Sequence, residues 1–246
     1  MKLKLFTLLV LAFIVTSNAQ DITIYCIGDS TMSDKVNPTE NPEHGWAQVL
    51  PTFFDERVKV DNRAVNGRST KSFISEGRWS TVLETLAPQD YVFIQFGHND
   101  QKFKDSSRYT IPHTTYRNNL KQFVKETREK GAQPILFSSI VRRNFNEFGA
   151  LVDTHGLYPL EVRLLAQELK VPFIDLQYLT ELMETSYGVE GSKALHLHFQ
   201  PGEHSYYPKG KEDDTHLSKK GALEVASLAV NELKMLELSL TKFLKK

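Results

Sequence analysis

Short apolar runs alternate along this chain with segments whose apolar residues recur every three or four positions. Five runs, over 22–27, 58–61, 91–95, 134–139 and 171–175, are short and mostly apolar, the pattern of strands buried on both faces. Between the first two runs, Trp46, Val49, Leu50 and Phe53 give 45–54 a helical spacing. Two short helices are predicted over 69–74 and 79–86, split by Gly77, and a long one over 114–129, ended by Gly131. Leu160, Leu164, Leu165 and Leu169 mark another helix over 159–169. A last one begins near Ser218 and continues through Val225, Leu228, Ala229 and Leu233. The segment 33–43, with Pro38 and Pro42, reads as a loop. Strand and helix in regular alternation predict an α/β domain built on a parallel sheet.

The first nineteen residues stand apart from this pattern. Lys2 and Lys4 precede an apolar stretch over 5–15, and Ser17-Asn18-Ala19 supplies small residues at cleavage positions. We expect a secretory signal peptide over 1–19, cleaved after Ala19, and one domain over 20–246. The apolar stretch is short for a bilayer span, so no membrane association is expected after cleavage.

A chain of 246 residues can bury one sizeable core, and 40% hydrophobic with 24% charged residues is ordinary for a globular protein. Without Lys2 and Lys4, acidic residues outnumber basic ones by two, which argues against a nucleic-acid partner. Cys26 is the only cysteine, so no internal disulfide can form. Its place in the first apolar run suits a buried small hydrophobe rather than a thiol nucleophile.

Candidate chemistry collects just after the runs. Gly28-Asp29-Ser30 follows the first and sets a hydroxyl on a tight turn. Near the other end, Asp213-Asp214-Thr215-His216 places a carboxylate three residues before an imidazole. Serine becomes a useful nucleophile when a base takes its proton and a third group orients that base. Each segment is also an ordinary turn or helix start, but two more follow the second and third runs: 62–69, with Gly67, and 95–100, with Asn99. In a parallel sheet the carboxyl ends of the strands open onto one crevice. There the N–H groups of Ser30 and Gly67 and the Asn99 amide would form an oxyanion hole.

With Ser30, Gly67, Asn99 and His216 in four ordered blocks, the chain resembles the SGNH hydrolases, the GDSL esterase superfamily. The stretch Ile27 to Met32, Val141-Arg142-Arg143 with Asp153-Thr154-His155-Gly156, and Tyr207 to His216 look like its rhamnogalacturonan acetylesterase branch. Thr31-Met32 replaces the leucine of the GDSL name, in keeping with that branch. The resemblance implies a flavodoxin-like three-layer α/β/α sandwich with a five-stranded parallel sheet in the order 2-1-3-4-5. It implies a Ser30–His216–Asp213 triad, the family spacing favouring Asp213 and leaving Asp214 a solvated neighbour. It also implies an acetylated polysaccharide or oligosaccharide substrate, above all the rhamnogalacturonan of pectin. Other enzyme readings are an acetylesterase on another glycan and a lipid or thioester acylhydrolase; a non-catalytic glycan-binding protein is a further one, against which the intact catalytic set argues.

His98, Arg142, Arg143 and His155 are candidates for substrate binding, since loops at this sheet edge carry specificity and an arginine can pair with a substrate carboxylate. His196, His198 and His204 cluster with Glu203 among Phe199, Tyr206 and Tyr207. They lack a firm ligand spacing, and the triad mechanism needs no metal and no other cofactor, so no metal site is assigned.

Overall fold

The computed structural model describes residues 22–245; the expected leader over 1–19 lies outside them. Strands β1 (Ile22–Gly28), β2 (Val58–Asn62), β3 (Tyr91–Gln95), β4 (Gln133–Phe137) and β5 (Phe173–Ile174) form one parallel sheet. Their order, β2-β1-β3-β4-β5, is the expected one. Successive strand side chains point to opposite faces, and β1 divides its apolar residues accordingly. Ile22, Ile24 and Cys26 enter one core with helices α1 (Trp46–Val49) and α7 (Lys219–Met235). Tyr25 and Ile27 enter the other, against α2 (Thr70–Ser75), α3 (Arg78–Thr85), α4 (Arg117–Glu129) and α5 (Tyr158–Leu169). The result is a three-layer α/β/α sandwich. Full burial of residues such as Val225 and Leu233 on α7 stabilises the fold by about 1.5–3 kcal/mol each.

The helix expected over 45–54 is only partly α-helical. Pro51 has no N–H for the next α-type bond, so α1 ends at Val49 and a 3-10 turn, Leu50–Phe53, completes the segment. Likewise a wide turn, Pro112–Tyr116, precedes regular α4. One helix and one pair of strands were not anticipated. Helix α6 (Leu176–Gly191) packs on the α7 side through Leu176 and Met183 and is interrupted at Gly188. Strands β6 (His196–Phe199) and β7 (Lys211–Leu217) form a separate antiparallel pair. Ser218 then caps α7, its hydroxyl accepting from the Gly221 N–H at 3.1 Å.

Candidate active site

The turn after β1 is held by a polar chain through the core. Trp46 Nε1 donates to Gln95 Oε1 at 2.6 Å, and Gln95 Nε2 donates to Thr31 Oγ1 at 2.7 Å. Thr31 Oγ1 in turn donates to Asp29 Oδ1 at 2.8 Å, which also accepts the Thr31 N–H. Gly28 is required because a Cβ there would lie 2.7 Å from the Gln95 carbonyl oxygen. Asp29 is therefore a turn-builder, its carboxyl raised by burial against the Thr31 hydrogen bonds.

Ser30, at the tip of that turn, meets the imidazole from the far end of the chain. His216 Nε2 lies 3.0 Å from Ser30 Oγ, and His216 Nδ1 lies 2.9 Å from Asp213 Oδ2. Asp213 Oδ1 accepts the N–H groups of Thr215 and His216, at 3.0 and 2.9 Å. Burial works to raise the Asp213 carboxyl. The His216 hydrogen bonds and charge and the Thr215 N–H outweigh it, holding the carboxyl well below the usual range. An ionised Asp213 accepts the Nδ1 proton and turns the Nε2 lone pair toward the Ser30 hydroxyl.

The donors expected to form an oxyanion hole with the Ser30 N–H lie on the loops after β2 and β3. Gly67 adopts φ 77°, a left-handed turn that glycine enters freely. Among the described residues neither the Ser30 N–H nor the Gly67 N–H has a hydrogen-bond partner. Asn99 Nδ2 spends one hydrogen on the Arg68 carbonyl at 3.1 Å, leaving the second free, and Arg108 Nη1 lies 3.4 Å from Oδ1. A polar hollow of about 450 Å³, lined by Gly67, Arg68, Ser72 and Arg108 among others, lies on the Gly67 side.

Sequence reasoning missed Lys35, which lay in a segment read only as loop. Its buried ammonium donates to the Ser30 carbonyl and Asn66 Oδ1, both at 2.6 Å, and to Ser33 Oγ at 3.1 Å. Glu43 balances the charge at 2.9 Å. Lys35 thereby ties the Ser30 turn to the loop that carries Gly67.

The candidates for substrate binding, from the loops after β3 and β4, are engaged with one another and with their surroundings. His98 and His155 are buried, and His155 Nε2 lies 2.9 Å from His98 Nδ1. His155 Nδ1 in turn lies 2.9 Å from Asp153 Oδ1. Burial, then the charges of His155 and Arg142, hold His98 well below the ordinary histidine range; burial likewise lowers His155. With Asp153 accepting, the protons run in one direction, and His98 Nε2 is left a buried acceptor without a partner among the described residues. Arg142 donates to Thr154 Oγ1 at 2.7 Å and lies 3.4 Å from the His98 carbonyl. Together these groups brace the turn that precedes Asn99.

Arg143 is held within the protein by more bonds still. Its buried guanidinium donates to Ser192 Oγ, Asp214 Oδ1 and the Val189 carbonyl, so it ties this loop to α6 and β7. Asp214 is then no mere solvated neighbour, since Arg143 and His198 Nε2 both meet its Oδ1 at 2.8 Å. The other histidines are also engaged: His196 with Glu184, and His204 against the Phe199 ring. Phe199 and Tyr207 stack at 5.8 Å, packing the connection between β6 and β7 on itself. Among the described residues no three His, Cys, Asp or Glu side chains converge as a metal-holding group.

Comparison with known proteins accords with this geometry. Residues 26–222 match the model of the GDSL-like lipase/acylhydrolase family. The chain is 46% identical to the rhamnogalacturonan acetylesterase RhgT of Bacillus subtilis, over 89% of this chain and 92% of that protein. It is 28% identical to the rhamnogalacturonan acetylesterase of Emericella nidulans, over 83% and 81% of the two. Among solved structures, the YxiM protein of Bacillus subtilis superposes with a TM-score of 0.74 at 29% identity, covering 89% of this chain and 58% of that one. The acetylxylan esterase Axe2 of Geobacillus stearothermophilus, at 20% identity and TM-score 0.60, shares the fold over 86% of this chain and 94% of its own. The chain belongs to the GDSL-like lipase/acylhydrolase family, the SGNH hydrolases, on its rhamnogalacturonan acetylesterase-like branch, and is a carboxylic ester hydrolase.

Proposed function

We propose that the protein is a secreted serine esterase that removes O-acetyl groups from the rhamnogalacturonan of pectin. The observation that carries the mechanism is the Ser30–His216–Asp213 line, at 3.0 and 2.9 Å, beside the free N–H groups of Ser30 and Gly67. His216 Nε2 takes the Ser30 proton as Oγ attacks the acetyl carbonyl. The N–H groups of Ser30 and Gly67 and the Asn99 amide hold the tetrahedral oxyanion. Collapse breaks the bond to the sugar oxygen, which leaves as a hydroxyl with the proton from His216. Water, giving a proton to His216, then attacks the acetyl-enzyme, and acetate departs as Ser30 recovers its proton.

The substrate reading draws on the two relatives named for rhamnogalacturonan, and the polar hollow beside Gly67 offers room for a neighbouring sugar. Secretion is read from Lys2, Lys4 and the apolar stretch over 5–15. Among the described residues no helix is long and apolar enough to cross a membrane.

The deciding experiment measures acetate release from acetylated pectin fragments, xylan and other glycans, with nitrophenyl esters of increasing chain length alongside. Rhamnogalacturonan should be among the better substrates, and longer acyl chains should be cleaved poorly. A preference for long chains would favour a lipid or thioester acylhydrolase instead. Ser30→Ala should abolish turnover while leaving thermal unfolding nearly unchanged, because a small turn side chain contributes little to the core.

A further inference from the structure

The catalytic strand is irregular where the chemistry sits. Between β6 and β7 the register passes from His196 opposite Leu217 directly to Leu197 opposite Asp213. Asp214, Thr215 and His216 therefore stand out of the ladder. A bulge re-aims side chains and frees backbone groups, and it commonly lies beside an active site. The freed groups are taken up one by one. Asp213 Oδ1 accepts the N–H of Thr215 and of His216, and the Arg143 N–H donates to the Asp214 carbonyl at 2.9 Å. The His216 carbonyl is met by a side chain, His196 Nδ1, at 3.1 Å. His196 is buried, and its Nε2 lies 2.7 Å from Oε1 of Glu184 on α6, itself 1% exposed.

A carbonyl only accepts, so His196 Nδ1 must carry a proton. A second proton must lie between Nε2 and the Glu184 oxygen, on one or the other. Glu184 Oε2 has no partner among the described residues, so nothing competes for that carboxyl. We propose that His196 is a positioning residue for the catalytic base, its Nδ1–H fixing the His216 peptide so that the ring stays within reach of Ser30, while Glu184 only anchors the far nitrogen of His196. The proposal rests on the reading of His216 as that base. His216 is held at both ends, its N–H by Asp213 and its carbonyl by His196. Without the second bond the bulge can relax and the ring withdraw from the hydroxyl.

The test exploits side-chain geometry. Asparagine reproduces a donor at the Nδ1 position, whereas glutamine reaches the Nε2 position. His196→Gln therefore keeps contact with Glu184 and abandons the His216 carbonyl; His196→Asn does the reverse. His196→Gln should lower kcat for nitrophenyl acetate by about 10- to 100-fold, the scale of a small misplacement. KM should stay within about threefold, and His196→Asn should recover most of the lost kcat. A purely structural histidine would instead lower thermal stability in both variants and leave kcat per folded site unchanged. Equal kcat in the two variants, or a loss confined to KM, overturns the proposal. Ser30→Ala keeps the two failures apart: turnover by that variant sinks the serine mechanism itself. An inactive Ser30→Ala beside a fully active His196→Gln sinks only the positioning role. Should His196→Gln fail to fold, isotope-labelled histidine spectra of the wild-type protein decide. They must show a slowly exchanging proton on His196 Nδ1, and a bare Nδ1 overturns the proposal.

Discussion

Asn99→Ala separates the chemistry from the fold. The wild-type amide gives one hydrogen to the Arg68 carbonyl at 3.1 Å and has the other free for the oxyanion. Its Oδ1 meets Arg108 only at 3.4 Å, a long and weak contact. Truncation thus removes one sound ground-state hydrogen bond, a stability cost of about 1–2 kcal/mol. For a domain of this size that lowers Tm by roughly 2–8 °C. The transition state loses more. An oxyanion donor is typically worth about 10²–10³ in kcat, or roughly 3–4 kcal/mol, because charge on the oxygen develops only during attack. KM should change little, the ester carbonyl carrying less charge before attack than after. Steady-state kinetics on nitrophenyl acetate and thermal unfolding on one preparation measure both effects. A variant with the lowered Tm but near-normal kcat would refute the oxyanion role and leave Asn99 a turn-former.

Two further outcomes follow from buried groups nearby. His155→Leu severs the Asp153–His155–His98 line beside Asn99 and should lower kcat roughly tenfold with KM little changed; unaltered kcat in folded protein would show that the brace does not reach the oxyanion hole. Burial raises the Asp100 carboxyl to about 7 against hydrogen bonds from Thr70 and Thr110. Its folded value exceeds the unfolded one, so its stabilising contribution is complete below about pH 4 and is lost as pH rises through about 7. Asp100→Asn removes that titration, so the Tm of the variant relative to wild type should rise between about pH 5 and about pH 8. A difference independent of pH would contradict it.

The sheet was legible because parallel strands buried on both faces write themselves as apolar runs, as Tyr91–Gln95 does. Ser30 and Asn99 were legible because they follow such runs, where a crevice must open. Lys35 carried no signal: a lysine in a proline-bearing polar loop looks solvated, and only the converging acceptors at Ser30 and Asn66 bury it. Arg142 and Arg143 looked equivalent in sequence. Packing turns one toward the His98 carbonyl and the other toward Asp214, a distinction no local pattern encodes.

The least legible element carries the proposed base, His216. Lys211–Leu217 is almost wholly polar, with neither strand alternation nor helical spacing, because it pairs with one strand only. Its Asp-x-x-His spacing read equally well as a helix start, where residues three apart share a face. The bulge achieves the same proximity by other means and keeps the backbone bonds that an aspartate at a helix start would accept. It brings two backbone N–H groups onto Asp213 Oδ1 while Oδ2 faces the ring, so both carboxylate oxygens are engaged by the segment they orient. That double engagement is why Asp213 stays ionised despite burial, and an ionised Asp213 is what keeps the His216 lone pair aimed at Ser30. On the mechanism proposed above, the irregular backbone is thus part of the catalytic apparatus, and the side chains that satisfy it, His196 among them, belong to the same apparatus.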